Sequence, residues 1–178
     1  MSGRLWRNAV SIAGTAIALG VSGCTQSVDG HAAEPPNPRI SFHPCDGFPE
    51  EAIVTARLNA SPPDRMPERH NPQVYGCGYQ SPDSYSGVVI SAIAETFSSV
   101  ESSDRFTVLS ETTIGGRPAL VADFRGGSAC TVSVAIEPGI LEFMIGYSEL
   151  EDFTTVDAAC DQATKVATTL APYFPDHL

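Results

Sequence analysis

Residues 106–147 read FTVLSETTIGGRPALVADFRGGSACTVSVAIEPGILEFMIGY. The stretch divides into four strand-length runs, Phe106–Ile114, Arg117–Arg125, Ser128–Glu137 and Ile140–Tyr147, separated by Gly115-Gly116, Gly126-Gly127 and Pro138-Gly139. Each separator is a tight-turn dipeptide, so the runs are expected to fold back on one another as an antiparallel meander. Period-two alternation supports this. Cys130, Val132, Val134 and Ile136 fall on one face, against Thr131, Ser133 and Glu137. Leu141, Phe143, Ile145 and Tyr147 repeat the pattern on the next run.

Outward from the meander, Gln73–Gln80 and Gly87–Ala94 read as two earlier strands of the same sheet, which would bring it to about six. Glu95–Asp104 reads as a helix or an irregular connection. A short helix is expected at Pro49–Leu58, with Pro49 at its first turn and Glu50 and Glu51 set favourably against the helix dipole. The closing helix runs from Val156 to Ala171, capped by Thr154 with Asp157 and ended by Pro172. Val156, Cys160, Ala163, Ala167 and Leu170 form its apolar stripe, small enough for close packing on a sheet. The fold class is α+β: an antiparallel sheet of about six strands with a short N-terminal helix and a C-terminal helix packed on it. Between the short helix and the first strand, Ser61–Pro72 (SPPDRMPERHNP) holds four prolines and reads as an exposed loop.

The N-terminus reads as an export signal. Arg4 and Arg7 precede an apolar stretch, Ala9–Gly20, that is too short to span a bilayer as a permanent helix. Val21-Ser22-Gly23-Cys24 follows as a lipobox-like sequence. Its chemistry requires a thiol to accept diacylglycerol, and small neighbours that let a peptidase cleave before the cysteine. Residues 1–23 are therefore expected to be removed, leaving Cys24 as an acylated N-terminus held by chains worth about 0.8 kcal/mol per buried CH₂. Residues 24–43, with Pro35, Pro36 and Pro38, read as a tether, and residues 44–178 as a single domain.

Composition narrows the function. The 178 residues are 42% hydrophobic and 17% charged, enough for one packed domain, with net charge −11. Without Arg4 and Arg7, 8 basic groups face 21 acidic ones, a balance of −13. Such a surface repels phosphate backbones and anionic headgroups, so no nucleic-acid partner is expected. Attachment to the outer face of the cell membrane would come from the lipid on Cys24.

Four cysteines remain for the domain: Cys45, Cys77, Cys130 and Cys160. An even number in an exported chain reads as a disulfide framework, and four allow three pairings. Cys130 lies on the apolar face of a strand and Cys160 on the apolar stripe of the closing helix, which favours that pair and leaves Cys45 with Cys77. Each bridge would close a loop of about 30 residues. No C-x-x-C occurs, and the histidines have no ligand spacing, so neither a metal site nor a redox motif is expected.

Pro44-Cys45, Cys77-Gly78-Tyr79, Gly116-Arg117-Pro118-Ala119, Cys130 and Cys160, in this order behind a lipobox, resemble the uncharacterised small lipoproteins of mycobacteria and related actinobacteria. The resemblance runs from Pro44 to Pro175. Tyr79 departs from it, standing where that family usually carries Trp. It implies an envelope location and a disulfide-bonded domain, and it supplies no catalytic residue.

No phosphate-binding loop, dinucleotide fingerprint, H-E-x-x-H or G-x-S-x-G is present. His31 lies in the tether and His177 is penultimate, while His43 and His70 sit in proline-flanked segments and read as solvated. Glu149, Glu151 and Asp152 read as a solvated acidic loop before the last helix. Tyr75 and Tyr79 flank Cys77 on one face and read as packing around its disulfide. Arg65, Arg69 and His70 put three of the few basic residues of an acidic domain on the proline-rich segment, making it the candidate binding loop. The leading expectation is a non-catalytic binding or accessory lipoprotein with an envelope protein or lipid as partner and no cofactor. A small-ligand or lipid carrier is the alternative if an apolar pocket of several hundred cubic ångströms exists. An envelope hydrolase is the alternative if a nucleophile–base pair does.

Overall fold

The computed structural model describes residues 38–59, 62–82 and 86–178. The expected signal peptide, Cys24 and tether residues 24–37 lie outside the described residues, as does His31. Residues 38–43, read as the end of the tether, belong instead to the folded domain. Ile40 is buried and donates its backbone N–H to Gln73, while Phe42 packs edge-on against Phe48.

Two short helices come first, α1 (Pro44–Gly47) and α2 (Glu50–Thr55). The single helix expected over Pro49–Leu58 is thus shorter, and Cys45 lies within a helix of its own. Arg57, at φ 57°, ends α2: Leu58 N–H reaches Ile53 C=O and Arg57 N–H reaches Val54 C=O, which satisfies the last carbonyls of the helix. Then follow β1 (Asp64–Arg65), β2 (Arg69–His70), β3 (Gln73–Gln80), β4 (Gly87–Ile93), α3 (Phe97–Glu101), β5 (Phe106–Ile114), β6 (Arg117–Phe124), β7 (Ala129–Ile136), β8 (Gly139–Gly146) and α4 (Val156–Leu170).

All eight strands join one antiparallel sheet in the order β1-β3-β4-β8-β7-β6-β5, with β2 also pairing β3. Among the described residues the count exceeds the six expected because residues 62–72 of the proline-rich segment are not a free loop. Its prolines flank two-residue strands that pair only with β3, and at a sheet edge a residue without an N–H is tolerated. In the meander β5–β8 the first two hairpins close through Gly115-Gly116 and Gly126-Gly127. The third turns at Glu137-Pro138, not the expected Pro138-Gly139, because Gly139 pairs with Ile136 as the first residue of β8. Gly115 and Gly116, at φ 58° and 78°, adopt the left-handed backbone that a two-residue hairpin demands.

The pairing of β4 with β8 carries the most structural consequence. The chain leaving β4 must cross to the far edge before β5 can start. It does so through α3, which buries Val100 with Ile93, Phe106, Leu120, Ala122 and Ile140 on the second face of the sheet. The first face is covered by α4, whose buried stripe is Ala159, Cys160, Ala163, Val166, Ala167 and Leu170. Thr155, and not Thr154, caps α4, its hydroxyl accepting from Ala158 N–H at 3.3 Å. The main core lies between α4, α2 and the residues Val132, Val134, Ile136, Leu141, Phe143 and Ile145.

Disulfides join Cys45 to Cys77 and Cys130 to Cys160, with Cα atoms 5.3 and 5.2 Å apart. The first ties α1 to β3, where the Tyr79 hydroxyl donates to Pro44 C=O at 2.8 Å in a buried bond. The second ties α4 to the centre of the meander.

Candidate functional site

Gly76 and Gly78 alternate with Cys77 on β3, so they face the side of the sheet away from α1 and α2. Without side chains they let Met66 and Asp64, on the edge flap that β1 and β2 form alongside β3, lay their side chains over that face. A Cβ on Gly76 would lie 3.1 Å from Met66 Sδ, and one on Gly78 would lie 3.4 Å from Asp64 Cβ. Under this flap is a cleft of about 530 Å³ lined by Asp64, Arg65, Met66, Pro67, Arg69, Val74, Gly76 and Ser91. Its size falls within the range of roughly 300–1,000 Å³ usual for small-molecule sites. A smaller hollow of about 300 Å³ lies beyond Asp64 and Met66, against Gly78, Val89 and Glu151.

Strand register sets the order of groups in the cleft. Asp64 pairs with Gly78 at one end, and Arg69 pairs with Val74 at the other. Arg65 pairs with Cys77, so it lines the cleft while its side chain lies on the α1 face, where Nη2 donates to both Asp46 carboxylate oxygens at 2.6 and 2.7 Å. That hydrogen bond keeps the Asp46 carboxyl below its ordinary range. Arg69 makes no ion pair among the described residues. Ser91, buried to 8% exposure, lines the floor, and its hydroxyl has no hydrogen-bond partner among the described residues.

Ser91 also starts a polar row across the centre of the sheet: Ser91 pairs with Glu142, and Glu142 with Ser133. Glu142 is buried at 9% exposure. Burial pushes its carboxyl up to about 7; Arg105 pulls it down, Glu95 pushes it up, and Arg69 and a hydrogen bond with Ser133 pull it down weakly. Arg105 and Glu95 themselves pair at 2.8 Å across the two ends of the α3 connection.

Of the residues singled out by sequence, Arg65 and Arg69 line the cleft. His70 does not; it is exposed, with Nδ1 3.5 Å from Glu68. His43 is not a solvated loop residue: Nδ1 accepts from Cys45 N–H at 3.2 Å and the ring stacks on Tyr75 at 5.2 Å. Burial, then Arg65, lowers its pKa, which keeps the ring neutral and able to cap α1. His177 is exposed. Glu149 and Glu151 are exposed, whereas Asp152 accepts from the Ser86 N–H and hydroxyl, each at 2.8 Å, and so holds the loop between β8 and α4 to the start of β4. Among the described residues, no group of three or more His, Cys, Asp or Glu side chains could hold a metal ion. Met66, Ser91 and Glu142 were not singled out from sequence. The available signal was the minority phase of the central strands: Ser91, Thr131, Ser133 and Glu142 all fall opposite the apolar face.

A family described as protein of unknown function (DUF3558) matches residues 19–173. The chain belongs to this family. The DUF3558 match takes in both disulfides, the cleft, and all of α4 and its following turn. No curated protein and no solved structure matches this DUF3558 chain.

Proposed function

We propose that this protein is an exported, lipid-anchored binding module of the cell envelope, with the cleft beneath the β1–β2 flap as its ligand seat. The cleft carries the reading: a cavity of about 530 Å³ with an apolar lining and a few convergent polar groups is the usual form of a small-ligand site. Its size favours a small-ligand carrier over a purely structural accessory protein. The lipobox-like Val21–Cys24 sequence and the likeness to mycobacterial-type lipoproteins support the anchor. No helix among the described residues is long and apolar enough to cross a membrane.

Anchoring is tested by detergent partitioning. Wild type is expected in the detergent phase, and Cys24→Ala as uncleaved precursor or aqueous protein. Equal partitioning with identical mature masses would remove the anchor from the account. Binding is tested by the double substitution Arg65→Ala with Arg69→Ala. Both side chains are exposed, so the melting temperature should hardly move. Small molecules co-extracted with the purified protein should fall well below the wild-type amount, and an unchanged amount would argue against the site.

A further inference from the structure

We infer that the cleft takes a single-chain carboxylate amphiphile, its head between Arg69 and Ser91 and its chain along Met66, Pro67 and Val74. The inference rests on reading the cleft as a ligand seat and adds the class of ligand. Three observations carry it. First, the cleft is polarised. Asp64 and Arg69 pair with β3 residues four positions apart, or about 13 Å at strand rise. That exceeds the Debye length of about 8 Å in physiological salt, so Asp64 does not neutralise Arg69. Glu142, which pairs with Ser91 and interacts with Arg69, is the acid nearest the head group, and its burial disfavours its charged form there.

Second, the cations differ in availability. Arg65 is engaged on the α1 face, one nitrogen donating to both Asp46 oxygens, while Arg69 has no ion pair among the described residues. A guanidinium beside an apolar surface favours a carboxylate, whose two oxygens match its fork of donors. Third, Ser91 lines the floor, and its hydroxyl, open to the cleft, can donate to the same head group. Beyond that polar end the lining is Met66, Pro67, Val74 and the bare backbone at Gly76. Methionine adapts its shape to a flexible chain better than branched side chains do.

The experiment uses full-length protein in phosphatidylcholine vesicles, photolysed with hexadecanoic acid carrying a diazirine in its chain, followed by peptide mapping. Label is expected within residues 64–76 and on the peptide containing Ser91. Hexadecanoate should compete, while hexadecan-1-ol and hexadecyltrimethylammonium should compete about tenfold less well or worse, as expected for loss of a charge-assisted hydrogen bond. Arg69→Gln should cut labelling by a similar factor, and Arg125→Gln, outside the cleft, should not. If the alcohol and the ammonium ion compete as well as the carboxylate, the head-group assignment is overturned and the ligand seat stands. If label falls outside the cleft, or Gly76→Leu, which drives a side chain into the space of Met66, leaves it unchanged, the seat itself is wrong.

Discussion

Replacing Cys130 and Cys160 together by alanine is expected to lower the unfolding free energy by about 3–4 kcal/mol, the chain-entropy value for a loop of this length. The bridge spans 30 residues and joins the centre of the meander to α4, the element that covers the first face of the sheet. Both half-cystines are buried, and Ala159, Ala163 and Ala167 pack around Cys160 with little side-chain volume to spare. The substitution therefore lengthens the unfolded chain's reach and also removes sulfur from a tight layer. For a domain whose total stability is on the order of 5–15 kcal/mol, this is a large fraction. Urea unfolding of the oxidised variants measures it, and a loss below about 1 kcal/mol would show that α4 is held by apolar packing alone.

Glu142→Gln is expected to act in the opposite direction, with a gain that grows from about pH 4.5 and is complete above about pH 7. The Glu142 carboxyl titrates near 7 in the folded protein, against an ordinary value of 4.5, mainly because it is buried. Between these values the folded chain keeps a proton that the unfolded chain has released. Stability from this group is complete below pH 4.5 and is lost as pH rises towards 7, by about 3 kcal/mol in all. The groups facing it are Arg105, Glu95 and Arg69, with Ser133 hydrogen-bonded to it. Glutamine cannot ionise, so the variant should be more stable than wild type by up to about 3 kcal/mol at pH 8 and by less than about 1 kcal/mol at pH 5. Thermal melts of both proteins across this range give the difference. A gap of the same size at pH 5 and pH 8 would mean that the effect is packing and not ionisation.

Glu142 also marks where the sequence stopped being legible. The phase of Leu141, Phe143 and Ile145 identifies the face that meets α4, and with Cys130 and Cys160 it also identifies the bridge across that layer. Alternation does not reveal what happens on the other face. Thr131 and Ser133 read as the polar side of a meander, yet both are buried, as is Glu142 beside them. The cause is topological: β4 inserts beside β8, and its continuation through α3 must pass over that face. No local pattern records a long-range pairing of this kind. The proline-rich segment failed for a different reason. Its composition indicates irregular backbone, and it hides two-residue strands whose existence depends on the edge of β3. Arg65 and Arg69 could be singled out because cations are scarce in an acidic chain. Met66 and Ser91 could not, because only the folding of the segment over Gly76 makes them neighbours.

The central claim is that an anchored domain carries a small ligand in the cleft under the β1–β2 flap. Native mass spectrometry of the full-length gene product, extracted from the envelope in mild detergent, tests it most directly. The expected wild-type spectrum shows a covalent mass that starts at Cys24 and includes acyl groups, together with a discrete non-covalent adduct of a few hundred daltons, in keeping with a small-molecule cleft. Gly76→Leu should show the same covalent mass without the adduct. A wild-type spectrum of bare polypeptide, identical to that of Gly76→Leu under the gentlest activation, would contradict the account.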